Sequence, residues 1–222
     1  FMQRNLKKVS IIIPTKEEPY IQELVNRIYK TLSGFDFEII IVDKSKVTPK
    51  VKGARVIKQK SNGLGNAVLE GLKLAKGEII VTMDGDGSHR PEDLPKLIEK
   101  AKDYDIVIGS KYVKGGKSED KFYKIVISRI YCFFASFILG LKVKDNMSGF
   151  AVIKRKIFDK ISLNPRGFKI NTEILYKAKK FNFKVAEVPI TFEQRKIGKP
   201  KRTFKEGLRI LMFIIELKLG LR

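Results

Sequence analysis

Apolar positions along this chain change period in a regular order. Val9–Ile13 is a short β-branched run stopped by Pro14, and Ile21, Leu24, Val25, Ile28 and Leu32 then recur at helical spacing until Ser33-Gly34. This predicts a strand followed by a helix. Phe37–Val42 and Ala54–Lys58 read as the second and third strands, and Leu64, Val68, Leu72 and Ala75 as one face of a helix closed by Gly77. Glu78–Met83 gives a fourth strand, Leu94, Leu97, Ile98 and Ala101 a helix begun by Pro91, and Ile106–Ser110 a fifth strand. Such alternation predicts an α/β fold: an open, mostly parallel sheet flanked by helices, with ligands at the carboxyl ends of its strands. Pro14–Glu18, Asp43 and Asp84–Ser88 all fall at such ends.

After Tyr112 the pattern changes. A polar loop, VKGGKSED, leads into KFYKIVISRIYCFFASFILG, which is nearly all apolar from Ile125 to Leu141. A bilayer needs roughly 20 apolar residues, and a central Arg129 costs about 2.5–3.5 kcal/mol on insertion scales. The segment is therefore expected to lie in a membrane surface or partly against the core. In the tail, Phe204, Leu208, Leu211, Ile215 and Leu219 share a stripe while Lys205, Arg209, Lys218 and Arg222 lie elsewhere, as in an interfacial helix or a terminal core helix. The expected organisation is a catalytic domain over 1–202, with an amphipathic interface helix at about 121–141, then an amphipathic helix over 203–222 at the membrane surface. No transmembrane domain is expected.

Composition narrows the partners. Lys plus Arg number 46 against 24 Asp plus Glu in 222 residues, a formal charge of +22, so a polyanion is expected: nucleic acid, an anionic membrane or phosphorylated small molecules. The single cysteine, Cys132, excludes a disulfide framework and a zinc site of its own. The apolar run before Pro14 is too short for a signal peptide, so the expected location is cytoplasmic, peripheral on the inner face of the cell membrane. Low Gln beside abundant Lys, Glu and Ile fits a thermophile.

The chemistry concentrates in GEIIVTMDGDGSHRP, Gly77 to Pro91. A strand that empties into Asp84 and Asp86 offers two hard oxygen ligands, suited to Mg²⁺ or Mn²⁺ holding a diphosphate. A calcium loop begun at Asp84 would need Gly at its sixth position and Glu at its twelfth, where this chain has His89 and Pro95. His89 has no evident Asp or Ser partner and is read as a structural support rather than a general base. Asn62–Ala67 is neither a dinucleotide fingerprint nor a P-loop; it suits an approach to a donor or close packing under the sheet, and packing is expected. The cluster from Arg195 to Lys205 holds six cations and no acid.

Seven blocks together resemble glycosyltransferase family 2, the inverting GT-A (Rossmann-like) fold, and within it the polyprenol-phosphate and dolichol-phosphate sugar synthases. They are Ile11–Glu18, Ile39–Ser45, Asn62–Ile80, Met83–Leu97, Val107–Gly116, Asp145–Arg155 and Val188–Lys201, in the family's order. The resemblance implies that Pro14, Lys16, Glu18 and Asp43 line the nucleotide pocket. It implies that Asp84, Gly85 and Asp86 meet metal and diphosphate, with Asp86 the catalytic carboxylate and Ser88 in the third-ligand place. Arg195 and Lys201 would close over the donor phosphates, and Lys111, Lys124 and Ser128 would hold an acceptor phosphate. Three departures stand out: Lys44 where a second acidic residue is usual, Lys16 where an aromatic is usual, and Lys in place of Arg at 111 and 124.

The implied reaction moves a hexose from a nucleotide-diphosphate sugar, GDP-mannose-like or a UDP-sugar, to a polyprenyl phosphate at the membrane surface. A phosphate with a second pKa near 6 is mostly dianionic at neutral pH and needs no general base; Asp145 is the one candidate if the acceptor is a soluble sugar or glycan instead. A catalytically degenerate scaffold is the other alternative, for which Lys44 speaks. A nucleotidyltransferase should carry a Gly-rich loop after its first strand, and PTKEE is not one. A nucleic-acid module would not account for strand-end aspartates, so no nucleic-acid partner is expected, whereas a flippase-type membrane partner is compatible.

Overall fold

A computed structural model describes residues 8–164, 170–195 and 204–221, with side chains from Arg209 onward in the last stretch. The first half follows the predicted alternation: β1 (Val9–Thr15), α1 (Ile21–Thr31), β2 (Phe37–Asp43), β3 (Arg55–Lys58), α2 (Leu64–Leu74), β4 (Ile79–Thr82), α3 (Leu94–Lys100) and β5 (Ile106–Ser110). There follow β6 (Lys117–Ser118), α4 (Phe122–Leu139), β7 (Ala151–Lys154), α5 (Ile170–Lys179), β8 (Val185–Pro189), β9 (Thr191–Phe192) and α6 (Phe204–Lys218). Seven strands form one sheet in the order β3-β2-β1-β4-β7-β5-β8, and β6 with β9 forms a second small ladder. All neighbours in the large sheet run parallel except β7, which is antiparallel to both β4 and β5.

β1 is buried along its whole length, and its period-2 side chains feed two cores. Ile11 and Ile13 meet Leu24, Ile28, Leu94 and Leu97 from α1 and α3, while Ile12 faces Ile40, Ala67 and Ile80 on the α2 side. Both faces are therefore covered, as a parallel sheet requires. Register sets Thr15 beside Asp43 at the carboxyl end.

Two local readings change. The buried face of α2 is Gly65, Ala67, Val68 and Gly71; of the predicted stripe, Val68 and Ala75 are buried, while Leu64 and Leu72 are half-buried. Small residues win there because the helix lies against the sheet: a Cβ on Gly71 would sit 2.5 Å from Ile12 Cγ2. Nor does Gly77 close that helix, since α2 ends at Leu74 and Ala75 is already extended. Gly77 is needed for a backbone crossing, because a Cβ on it would lie 2.6 Å from the Lys8 carbonyl oxygen and 2.7 Å from the Ser10 nitrogen.

The tail helix carries apolar residues on two faces. Phe213, Ile214 and Leu217 of α6 pack with Ala135 and Leu139 of α4, whereas Leu211, Ile215 and Leu219 of the predicted stripe are exposed. The predicted Phe204 and Leu208 side chains lie outside the described residues. Both helices thus have a packed face and an apolar outer face. The outer surface of α4 shows Phe122, Tyr123, Ile127, Ile130, Phe133 and Phe137. A groove of about 400 Å³ runs between the two helices, lined by Ile127, Ile130, Tyr131, Phe134, Leu211 and Ile214.

Gly77→Ala is expected to destabilise the chain by about 2–3 kcal/mol, since backbone, not a flexible side chain, blocks the added methyl. At about 2–4 °C per kcal/mol for a domain of this size, a thermal melt should fall by roughly 4–12 °C. A melt unchanged within about 1 °C would contradict the crossing geometry.

Candidate active site

The site gathers where β1, β2 and β4 end. β4 delivers Asp84 and Asp86 on a loop whose backbone is held from several directions. Ser88 donates to Asp86 Oδ1 twice, through its hydroxyl at 2.6 Å and its N–H at 3.1 Å. Its side chain is buried, and its hydroxyl proton is committed to Asp86, which it orients. His89 is 2% exposed, accepts the Asp84 N–H at its Nδ1 (3.1 Å), and is stacked on Phe150 with Phe192 at its edge. Burial lowers its pKa, against the pull of Asp84 and Asp86. A neutral imidazole locked in this way is a strut, as its sequence context suggested.

The neighbouring strand ends are locked to each other. Asp43 is completely buried, and its carboxylate accepts from Thr15 Oγ1 (2.9 Å), Ser45 N (3.0 Å) and Ser45 Oγ (2.7 Å). These bonds tie the carboxyl ends of β1 and β2 together. Ser45 Oγ accepts in turn from the Glu17 N–H at 2.7 Å, which fixes Glu17 at φ 50° and shapes the turn carrying Lys16 and Glu18. Pro14 is buried at the edge of a small cavity beside Asp84, Lys16 is exposed, and Gly85 packs on Thr15 and Ile13. The Lys44 ammonium donates to the Ser61 carbonyl at 2.8 Å, turning this cation toward the loop before α2.

Arg195 reaches back across the cleft. Its guanidinium pairs with both oxygens of Glu18 and stands 3.6 Å from Asp86 Oδ2. Lys201 lies outside the described residues.

At the same end of the sheet, Lys111 follows β5 and is nearly buried. Its Nζ lies 3.1 Å from Asp145 Oδ2 and above the rings of Tyr112 (4.8 Å) and Phe192 (5.1 Å). Burial alone would lower its pKa, but Asp145 together with Tyr112 outweighs this and the ammonium is held above its usual value. Asp145 has 0% exposure and also receives the Lys111 N–H at 3.1 Å, so it is a counter-ion, not an available base. Lys124 and Ser128 sit one turn apart on α4, both half-buried, and Arg129 stacks on Tyr112 at 5.1 Å.

Sequence reasoning overlooked the polar residues behind this surface. Thr15, Ser45, Thr82 and Asn171 carry no catalytic signature and show only as hydroxyls or an amide inside apolar context. Among the described residues no three His, Cys, Asp or Glu side chains converge as a metal cluster. The pair Asp84 and Asp86, with side chains 30% and 22% exposed, still fits a cation that takes its other ligands from a diphosphate and water.

Comparison with known proteins places this geometry. The chain is 41% identical over 220 residues to a dolichol-phosphate mannosyltransferase of Pyrococcus furiosus, covering 91% of this chain and 62% of that protein. It is 34% identical over 159 residues to a polyprenol monophosphomannose synthase of Mycolicibacterium smegmatis, covering 68% of this chain and 60% of the relative. The chain thus spans less than two thirds of the length of these relatives. In fold it is similar to glucosyl-3-phosphoglycerate synthase from Mycobacterium tuberculosis in complex with Mn²⁺, UDP and phosphoglyceric acid. That match has a TM-score of 0.73 at 19% identity, over 96% of this chain and 78% of the other. Residues 10–162, which include both aspartates, β1 to β5 and β7, match the profile of Glycosyl transferase family 2, and the chain belongs to that family.

Proposed function

We propose that this chain transfers a hexosyl group, mannose by the names of its relatives, from a nucleoside-diphosphate sugar to a polyprenyl phosphate at a membrane surface. The observation that carries the reading is the pairing of two sites at one end of the sheet region. One is acidic, Asp84 and Asp86 with Arg195 beside them; the other is cationic, Lys111 with Lys124 and Ser128, next to the apolar outer faces of α4 and α6.

Asp84 and Asp86 would hold Mg²⁺ or Mn²⁺, which supplies charge neutralisation for a leaving diphosphate. Arg195 adds a second cation to that side, and its planar fork, now on Glu18, matches phosphate oxygens equally well. Pro14, Lys16 and Glu18 form the rim on the nucleotide side, over a floor held by Asp43. An acceptor phosphate dianion attacks without a base. This agrees with His89 and Asp145 both being committed to other hydrogen bonds. Lys111, Lys124 and Ser128 would bind that phosphate. Inversion follows from a single in-line displacement.

The membrane part rests on α4 and α6. Among the described residues, Phe122–Leu139 is the one helix long and apolar enough to cross a bilayer by length and composition, and 17% of it is buried. Lys124 and Arg129 make an interfacial position, with aromatic rings in the acyl boundary and cations at the headgroups, the better account. The +22 charge favours anionic lipid, and a flippase-type partner for the lipid-linked product is consistent with this placement.

The direct test incubates the protein with Mn²⁺, dolichyl phosphate and labelled GDP-mannose or UDP-glucose, followed by solvent extraction. Lipid-linked label is expected from one donor; label released only as free sugar would favour a soluble acceptor. Asp86→Ala should reduce transfer at least about 1000-fold and abolish stabilisation by Mn²⁺ plus nucleotide, while the ligand-free melt stays within about 2 °C. Retained stabilisation would remove the aspartate pair from the site.

For the membrane, replacing the exposed Phe133 and Phe137 by Ser should weaken sedimentation with anionic vesicles about tenfold or more and change stability by less than about 1 kcal/mol. Wild-type binding should also fall between low and high salt, because exposed charges are screened beyond about 8–10 Å at 0.1–0.15 M. Equal vesicle affinity of the variant would show that this face does not meet lipid.

A further inference from the structure

The turn from Asn146 to Gly149 forms a wall beside Asp84. Its backbone approaches so closely that a Cβ on Gly149 would lie 3.0 Å from each Asp84 carboxylate oxygen. Three of the four carbonyls in that turn are held by side chains. Thr172 Oγ1 donates to the Asn146 carbonyl at 2.8 Å, Asn171 Nδ2 to that of Ser148 at 2.9 Å, and Thr82 Oγ1 to that of Gly149 at 2.9 Å. Asn171 also donates to Thr82 Oγ1 at 3.1 Å, so one amide spends both of its N–H groups tying the start of α5 to the turn and to the end of β4. Asn171 and Thr82 are 4% and 2% exposed.

We propose that Asn171, acting with Thr82, is a positioning residue for Asp84: it clamps the 146–149 turn so that the turn backs the carboxylate and leaves it one direction, toward the cleft. The argument rests on the reading of Asp84 as a cation and diphosphate ligand. Burial distinguishes this clamp from ordinary surface hydrogen bonding, since loosening one member leaves buried carbonyls without their side-chain partners immediately behind the carboxylate. Groups behind metal-binding carboxylates typically change metal affinity about 10- to 100-fold when removed. The Asn171 amide bonds to Ser148 and Thr82 and not to either aspartate, so its effect is exerted through where Asp84 points.

The test measures Mn²⁺ affinity from the electron paramagnetic resonance signal of the free ion, in the presence of GDP and, separately, UDP. Asn171→Leu, similar in size and without the amide, should bind Mn²⁺ at least tenfold more weakly with whichever nucleotide the wild type prefers. Thr82→Val should do the same, and Thr82→Ser, which restores the hydroxyl, should return affinity to within twofold of wild type. Mn²⁺ affinity within twofold of wild type in a folded Asn171→Leu protein would overturn the proposal and leave Asn171 a purely structural residue. If Asn171→Leu does not fold, the Thr82 pair decides: equal affinity for Thr82→Val and Thr82→Ser overturns it. Asp84→Ala serves as the reference for the underlying reading. Unchanged Mn²⁺ binding in that variant removes the cation from Asp84 itself, a failure recognisable whatever Asn171 and Thr82 show.

Discussion

A buried strand must have a hydrogen-bonding partner on both edges, and in this chain the outer edge of β4 is satisfied by β7 running the opposite way. The rest of the architecture follows from that insertion. Because β7 stands between β4 and β5, these two parallel strands never pair, and the turn that starts β7 is brought to the carboxyl end of β4. There Gly149 closes on Asp84, while Asp145, at the start of the same turn, is carried to Lys111 at the end of β5. One reversal of direction therefore supplies the back of the acidic site and the counter-ion of the cationic one.

Charge is arranged around this frame in a graded way. Carboxylates that organise structure are buried and saturated, as Asp43 and Asp145 are, whereas Asp84 and Asp86 keep part of their surface in the cleft. Desolvation makes a free buried carboxylate costly, so each buried one has acquired several donors. The half-exposed pair has fewer, and its remaining lone pairs are the ones a cation can use.

The parallel part of the fold was legible in the sequence because fully buried strands read as continuous β-branched runs, and Val9–Ile13, Phe37–Val42 and Ile106–Ser110 all do. β7 and β8 were not, since four residues of AVIK and a half-exposed VAEVP carry too little periodic signal. Asp84 and Asp86 stood out because two acids directly after an apolar strand demand an explanation. Ser88 and Asp43 were carried over from the family resemblance, which does not convey the hydrogen bonds around them: Ser88 turned onto Asp86, Asp43 onto Thr15 and Ser45. On α6 the helical period was legible, but a helix with apolar residues on two faces does not say which one meets protein.

The contact between Arg195 and Glu18 joins residues 177 positions apart. At a synthesis rate of about 5–20 residues per second, the arginine emerges roughly 9–35 s after the glutamate it binds. β8, which pairs with β5, is also made late. A nascent chain thus exposes its two acidic loops long before their cationic partner arrives, and contacts of this span are slow to close. A ribosome stalled before residue 195 would therefore hold the strand-end loops of Glu18 and Asp86 without the arginine that bridges them.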